Sequence, residues 1–327
     1  MAQGMKELRR RIRSVTSIQK ITRAMEMVAT TRLRRMQTRA EGARPYADAI
    51  KGFSALLANG GAGGGAGGAS LSSPLTQARE KVARIAVLVI GSDRGLCGAY
   101  NANVFRKLSL FMNERVAAAK AAGIDLGVDL YTIGKKARMH YAKRLPIKVA
   151  YADEVEKLNS RRGREIAREL TERFLAGSAA DGVDEVHVLF TRFISVGRQV
   201  TTIDRLLPVT ADPAPATKKP GDVSAAAKAA KAAKAEKSAG AAGQILLEPS
   251  PQELFDVLMP KSLAMRVYAA MLDSMASEQA ARRMAMKAAT DAAGEMIGAL
   301  TRKYNRARQE TITKELLDIV GGAEALA

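Results

Sequence analysis

The sequence predicts an α/β protein in which a long antiparallel coiled coil of N- and C-terminal helices carries a central Rossmann-like open α/β domain. Three observations predict it. Stretches at both ends of the 327 residues repeat apolar side chains at helical spacing, short β-branched runs alternate with helical segments between them, and a Gly-rich run separates the first stretch from the middle.

The N-terminal stretch places Met5, Leu8, Ile12, Val15, Ile18, Ile21, Met25 and Val28 at steps of three and four, on one helical stripe. Gly and Pro are absent from 5 to 41, a run that would reach roughly 55 Å at about 1.5 Å per residue. Such a helix is too long to be buried all round. Gly42 and Pro45 mark an expected bend, after which 46–58 reads as helical again. The C-terminal stretch is expected to start after Pro260 and repeats Met271, Met275, Met284, Ala288, Ala292, Met296, Leu300 and Tyr304. Each stripe needs a cover, and pairing the two ends of one chain is the economical solution. Two ordinary bundle helices would show the same pattern. The heptad is imperfect, with Ala and Met in place of Leu.

Between the stripes, Arg84–Ile90 reads as a buried strand, 101–122 as a helix, 128–133 as a second strand, 135–143 as a short helix and 147–151 as a third strand. A helix over 154–175, a strong strand over 183–190 and a strand over 200–208 complete the pattern. This βαβαβ order implies an open, mostly parallel sheet. The organisation is therefore an N-terminal shaft helix over 1–58, a Gly-rich linker over 59–80, a central α/β domain over 81–210, an Ala/Lys-rich insert over 211–248 and a C-terminal shaft helix over 249–327. The insert holds almost no large apolar residue and is expected to be solvated.

Aromatic residues make up 4% of the chain and Trp is absent, which favours helix contact over a large aromatic core. The net charge is +19 and unevenly placed. Residues 1–58 hold thirteen Lys/Arg against four Asp/Glu, whereas 249–327 hold ten of each. A localised acidic partner or a solvated arm fits this better than a uniform polyanion, although nucleic acid stays open as an alternative; no zinc spacing, helix-turn-helix signature or RRM-like motif supports it. With Cys97 alone, no intramolecular disulfide can form. No apolar run is long enough to span a membrane. The Arg-rich start resembles a transit peptide, but the helical stripe continues through it.

The glycines Gly91, Gly95 and Gly98 follow the first strand, where phosphate-cradling loops sit, yet match neither a P-loop nor G-x-G-x-x-G. A structural turn with glycines at positive φ is the reading, with a nucleotide-holding enzyme as its rival. His140 and His187 are the only imidazoles, neither in a pattern with Cys97, and Asp93 and Asp204 have no obvious partner. No catalytic residue, cofactor or metal is therefore expected. Near the C-terminus, Arg308 can fork to a carboxylate, and Gln309 and Thr313 share one helix face.

The runs Gln19-Lys20-Ile21-Thr22-Arg23-Ala24-Met25-Glu26-Met27, Ser92-Asp93-Arg94-Gly95-Leu96-Cys97-Gly98 and Ser277-Glu278-Gln279-Ala280-Ala281-Arg282, with 5–15 and 285–290, resemble the γ subunit of the F-type ATP synthase, bacterial type. The resemblance spans nearly the whole chain in order. It implies a non-catalytic central stalk: a coil inside a hexamer of three α and three β subunits, and an α/β foot that meets ε and the membrane c-ring. Rotation would couple proton flow to ATP synthesis at β. It also implies that Arg308, Gln309 and Thr313 contact an acidic β loop and that Met25 lies at the shaft–β contact. The expected location is the cytoplasmic face of a bacterial inner membrane, as a peripheral protein, since the family-like sequence starts at Met1. Two departures, the Gly-rich run at 59–69 and the insert at 211–243, look longer than in the family. Some photosynthetic relatives carry a regulatory cysteine pair, which Cys97 alone cannot form.

Overall fold

The computed structural model describes residues 2–58, 73–151, 159–209 and 250–324. The Gly-rich run, the Ala/Lys insert and the start of the helix expected at 154 lie outside these.

Helix α1 spans Ala2–Ala58 and α5 spans Pro251–Glu324. Both correct the sequence reading at a proline. α1 is continuous through Gly42 and Pro45, because a helix packed along its length on a partner tolerates the one hydrogen bond that Pro45 removes. α5 begins nine residues before Pro260, at a cap the periodicity does not reveal. The Ser250 hydroxyl accepts from the Glu253 amide at 3.2 Å, Pro251 takes the first helical position, and Glu253 puts a carboxylate in the first turn.

The middle supplies β1 (Arg84–Ile90), α2 (Tyr100–Ala121), β2 (Gly127–Ile133), α3 (Lys135–Tyr141), β3 (Ile147–Tyr151), α4 (Ser160–Ala176), β4 (Glu185–Ser195) and β5 (Arg198–Leu207). The sheet order is β3-β2-β1-β4-β5, parallel except for β5, which pairs antiparallel with β4. β1 lies at its centre, and Ile85 through Ile90 are each 0% exposed, as a strand covered on both faces requires. Alternation sorts its side chains. Ala86, Leu88 and Ile90 join Val186, Val188 and Phe190 under α4 and α5, while Ile85, Val87 and Val89 pack with Val104 and Leu108 of α2. Leu33 and Met36 of α1 reach the first core, so the shaft is rooted in the domain.

Asp184, at the start of β4, ties the base of the sheet together. Its carboxylate accepts from Arg79 Nη1 at 2.9 Å and from the amides of Ala83 and Arg84 at 2.8 and 3.0 Å. Burial alone would raise its pKa, but the amides of Arg84, Ala83 and Ser178 outweigh burial and hold it below the ordinary 3.8.

The two shaft helices run antiparallel: Thr22 Oγ1 meets Thr290 Oγ1 at 2.7 Å, whereas Met36, further along α1, shares a recess with Met275, further back along α5. The covered seam of α1 follows alternating steps of three and four through Ile12, Val15, Gln19, Thr22, Glu26, Ala29, Leu33 and Met36, all buried or half-buried. On α5 it follows Met286, Thr290, Ala293, Ile297, Leu300, Tyr304, Ala307 and Thr311. This is a strict 3.5-residue repeat, the coiled-coil signature. It overturns half of each expected stripe. Ile18, Ile21, Met25 and Val28 are 53%, 55%, 38% and 52% exposed, and on α5 Met284, Ala288, Ala292 and Met296 are exposed as well. The apolar residues step off the seam while polar and small ones stay on it. Gly294 is needed there, since a β-carbon would stand 3.1 Å from Gln19 Nε2.

Two outcomes follow. Asp184→Asn should destabilise the α/β domain by about 1–3 kcal/mol in chemical denaturation. Because the folded pKa of Asp184 is depressed, its contribution should be complete above pH 3.8 and disappear as pH falls below it, leaving the Asn variant with a flatter acid limb. On the shaft, Thr22→Val alone should destabilise by about 1 kcal/mol, and the Thr22→Val/Thr290→Val pair should recover most of that loss in a double-mutant cycle.

Candidate functional site

In an open sheet with this strand order, ligands bind beyond the C-terminal ends of the strands where the chain reverses direction, here between β1 and β4. α5 occupies that place. Ser274 Oγ accepts from the Thr191 amide at 3.0 Å, and Ser277 donates its hydroxyl to the Thr191 carbonyl at 2.9 Å, so two serines one turn apart grip one residue of β4. Arg282 donates to the carbonyls of Arg94 and Gly95, both at 3.3 Å, in the loop after β1, and is held by Glu278 at 2.6 Å. Ser274, Ser277 and Glu278 are 1%, 0% and 5% exposed. These polar residues stand on an otherwise apolar helix face, a pattern that single-sequence periodicity overlooks.

The loop after β1 is a structural turn, with its strain placed differently from expectation. The positive φ values fall at Leu96 (61°) and Gly98 (56°), not at Gly91 or Gly95. Gly91 is required for closeness: a β-carbon there would sit 3.0 Å from that of Ala137. Cys97 points inward beside Ser92 and accepts from Asn101 Nδ2 at 3.3 Å. Burial first, then the charge of Glu278, pushes its thiol upward, the wrong direction for a nucleophile. His140 stacks on Phe105 at 4.1 Å, and His187 hydrogen-bonds Glu185 at 2.9 Å, so both imidazoles are engaged elsewhere. Asp93 and Asp204, read as partnerless, are not: Asp93 accepts from the Lys135 amide at 3.0 Å, and Asp204 pairs with Arg192 at 3.0 Å.

The four residues singled out from the sequence do not form one cluster. Arg308, Gln309 and Thr313 are exposed near the end of α5. Gln309 and Thr313 border a shallow groove with Lys314 and Leu317, and Arg308 lies outside that lining. Met25 belongs to the outward apolar facet near Thr22, whose partner Thr290 is roughly 30 Å of helix from Gln309. That facet is Ile18, Ile21, Met25 and Val28 with Met27 beside it, and the expected stripe misplaced the first four by putting them on the seam.

A family model described as "ATP synthase" matches residues 4–326. The ATP synthase gamma chain of Mycolicibacterium vanbaalenii is 40% identical, covering 100% of this chain and 99% of its own length, and that of Mycolicibacterium smegmatis is 41% identical with the same coverage. This chain belongs to the ATP synthase gamma-chain family. Among solved structures, a chain of the Euglena gracilis mitochondrial ATP synthase in rotational state 3 matches with a TM-score of 0.61 at 17% identity, covering 100% of this chain and 95% of that one. A central-stalk chain from Tetrahymena thermophila reaches 0.52 at 21% identity, over 82% of this chain and 99% of that one. At those identities the likeness is one of fold, and it includes the arrangement of N- and C-terminal helices around a mostly parallel sheet. The family membership agrees with a crevice filled by the chain's own helix.

Ser274→Ala leaves the buried Thr191 amide without its acceptor. Hydrogen exchange at Thr191 should speed up by about tenfold or more, with a stability loss of about 1–3 kcal/mol, while β1 and β2 amides exchange at unchanged relative rates.

Proposed function

We propose that this chain is the central rotor stalk of a proton-translocating F-type ATP synthase: a non-catalytic subunit that turns inside a hexamer of α and β subunits and couples proton flow to ATP synthesis at β. The observation that carries this reading is the filled crevice. The place where an enzyme of this topology would bind substrate holds the shaft helix, bonded to β4 and to the loop after β1, so the domain is built to grip a lever. Membership of the gamma-chain family supports it.

The remaining parts have work in this reading. The outward apolar facet around Met25 meets the inner wall of the hexamer, where steric contact transmits asymmetry. Arg308, Gln309 and Thr313, exposed near the end of α5, hydrogen-bond an acidic loop of β, and the basic surface of α1 complements acidic walls. The α/β domain forms the foot, in contact with ε and the c-ring. None of the described helices is long and apolar enough to cross a membrane, so attachment to the cytoplasmic face of the inner membrane comes through the ring.

Arg308→Ala combined with Gln309→Ala should lower proton-driven ATP synthesis in reconstituted vesicles roughly 2–5-fold, with the thermal melt of the foot unchanged, because both side chains are exposed in the chain itself. Unaltered synthesis would refute their role at β.

A further inference from the structure

Where the shaft leaves the foot, five arginines meet in one recess. Arg32, Arg35 and Arg39 come from successive turns of α1, Arg94 from the loop after β1 and Arg282 from α5, around a cavity of about 130 Å³. Only Asp93 and Glu278 oppose them in its lining, which leaves an excess of three positive charges. Glu278 is bonded to Arg282, and Arg32 and Asp93 have interactions of their own. Among the described residues, the guanidinium groups of Arg35, Arg39 and Arg94 enter no ion pair or hydrogen bond.

One wall of the recess is held in place. The Arg94 carbonyl accepts from the Ser92 hydroxyl at 2.8 Å and from Arg282 at 3.3 Å, which fixes the backbone that aims the Arg94 side chain. The side chains of Arg282 and Glu278 are 13% and 7% exposed, so the inner wall is rigid. Arg35 and Arg39 stand one helical turn apart, where like charges repel. A concave wall of this kind focuses potential, and planar guanidinium forks match tetrahedral oxyanions.

We propose that this recess is a binding site for a phosphoryl oxyanion, either inorganic phosphate or the phosphate end of a nucleotide. A carboxylate side chain would bring one negative charge and two oxygens. A phosphoryl group brings about two charges at neutral pH and at least three acceptor oxygens, the better match to three unpaired forks.

The test is titration calorimetry of the full chain, at constant ionic strength, with inorganic phosphate, ATP and a polyglutamate peptide as probes. Saturable one-to-one binding of phosphate or ATP is expected, weakened about tenfold or more by Arg35→Gln or Arg94→Gln and unchanged by Arg34→Gln, which lies outside the lining. Arg35→Lys keeps the charge and the helix but loses the fork, and should weaken binding severalfold at an unchanged melting temperature. ATP binding more tightly than phosphate identifies a nucleotide as the ligand, and equal affinities identify the phosphoryl group alone; either supports the site. Absence of saturable binding, equal loss in Arg34→Gln and Arg35→Gln, or polyglutamate binding more tightly than both phosphoryl probes would overturn it.

Discussion

The placement of α5 across the C-terminal ends of β1 and β4 is the constraint on which the rest of the molecule depends. It fills the crevice that this strand order leaves open, with hydroxyls and a guanidinium spent on the backbone of Thr191, Arg94 and Gly95. Because the bonds of Ser274 and Ser277 to Thr191 are buried, moving the helix relative to the sheet would strand donors and acceptors that have no water to replace their partners. The joint is therefore stiff, and a twist applied to the foot must appear in the shaft. The same helix supplies Met271 and Met275 to the core beside Leu33 and Met36 of α1, so both strands of the coil are rooted in one place.

Above the root, the shaft has to satisfy two demands that compete for apolar side chains. Its two helices must hold each other, and its outside must meet something other than water. The seam is made from small or polar residues at several layers, with Gln19 and Thr22 against Thr290 and Gly294, which lets the helices approach closely. Larger residues, Ile18, Ile21, Met25 and Val28, are left facing outward. An exposed row of that kind on an otherwise charged helix is a surface awaiting cover. The arrangement gives up some self-adhesion of the coil in return for an exposed apolar surface.

This division explains which parts of the fold were legible in the sequence. Strands and helices of the middle were, because β1 is apolar from Ile85 to Ile90 and rich in β-branched residues and the helices between strands keep a 3.6-residue period. The pairing of the ends was legible too. The seam was not, because a rule that assigns apolar residues to the interior fails on a shaft that leaves some of them exposed: a 3.5-residue repeat runs through Gln19 and Glu26 while the eye follows Ile18 and Met25. Strict alternation of threes and fours from Met5 onward, read without regard to polarity, would have found it. The start of α5 was encoded in Ser250 and Glu253, a capping pair missed because Pro260 looked like a beginning. Helical periodicity gave the serines of the joint no role, since their partner is a strand some eighty residues away.

The far end of the shaft follows from the same geometry. With Thr22 opposite Thr290 and the helices antiparallel, α1 runs out at its N-terminus where α5 has reached the neighbourhood of Ala307 and Thr311, the last half-buried positions. Beyond that point α5 continues alone, with Ile312, Leu316, Leu317, Ile319 and Val320 between 47% and 68% exposed. A single helical segment this short gains too little from its own hydrogen bonds to be firm in water, and its leucines and isoleucines add a cost for every ångström left wet. It becomes stable only inside a surface that takes those side chains while leaving the extension free to move. The polar groups of Arg308, Gln309 and Thr313 sit just where the two-stranded shaft gives way to the single one, so they are exposed at the level where α5 loses the support of α1.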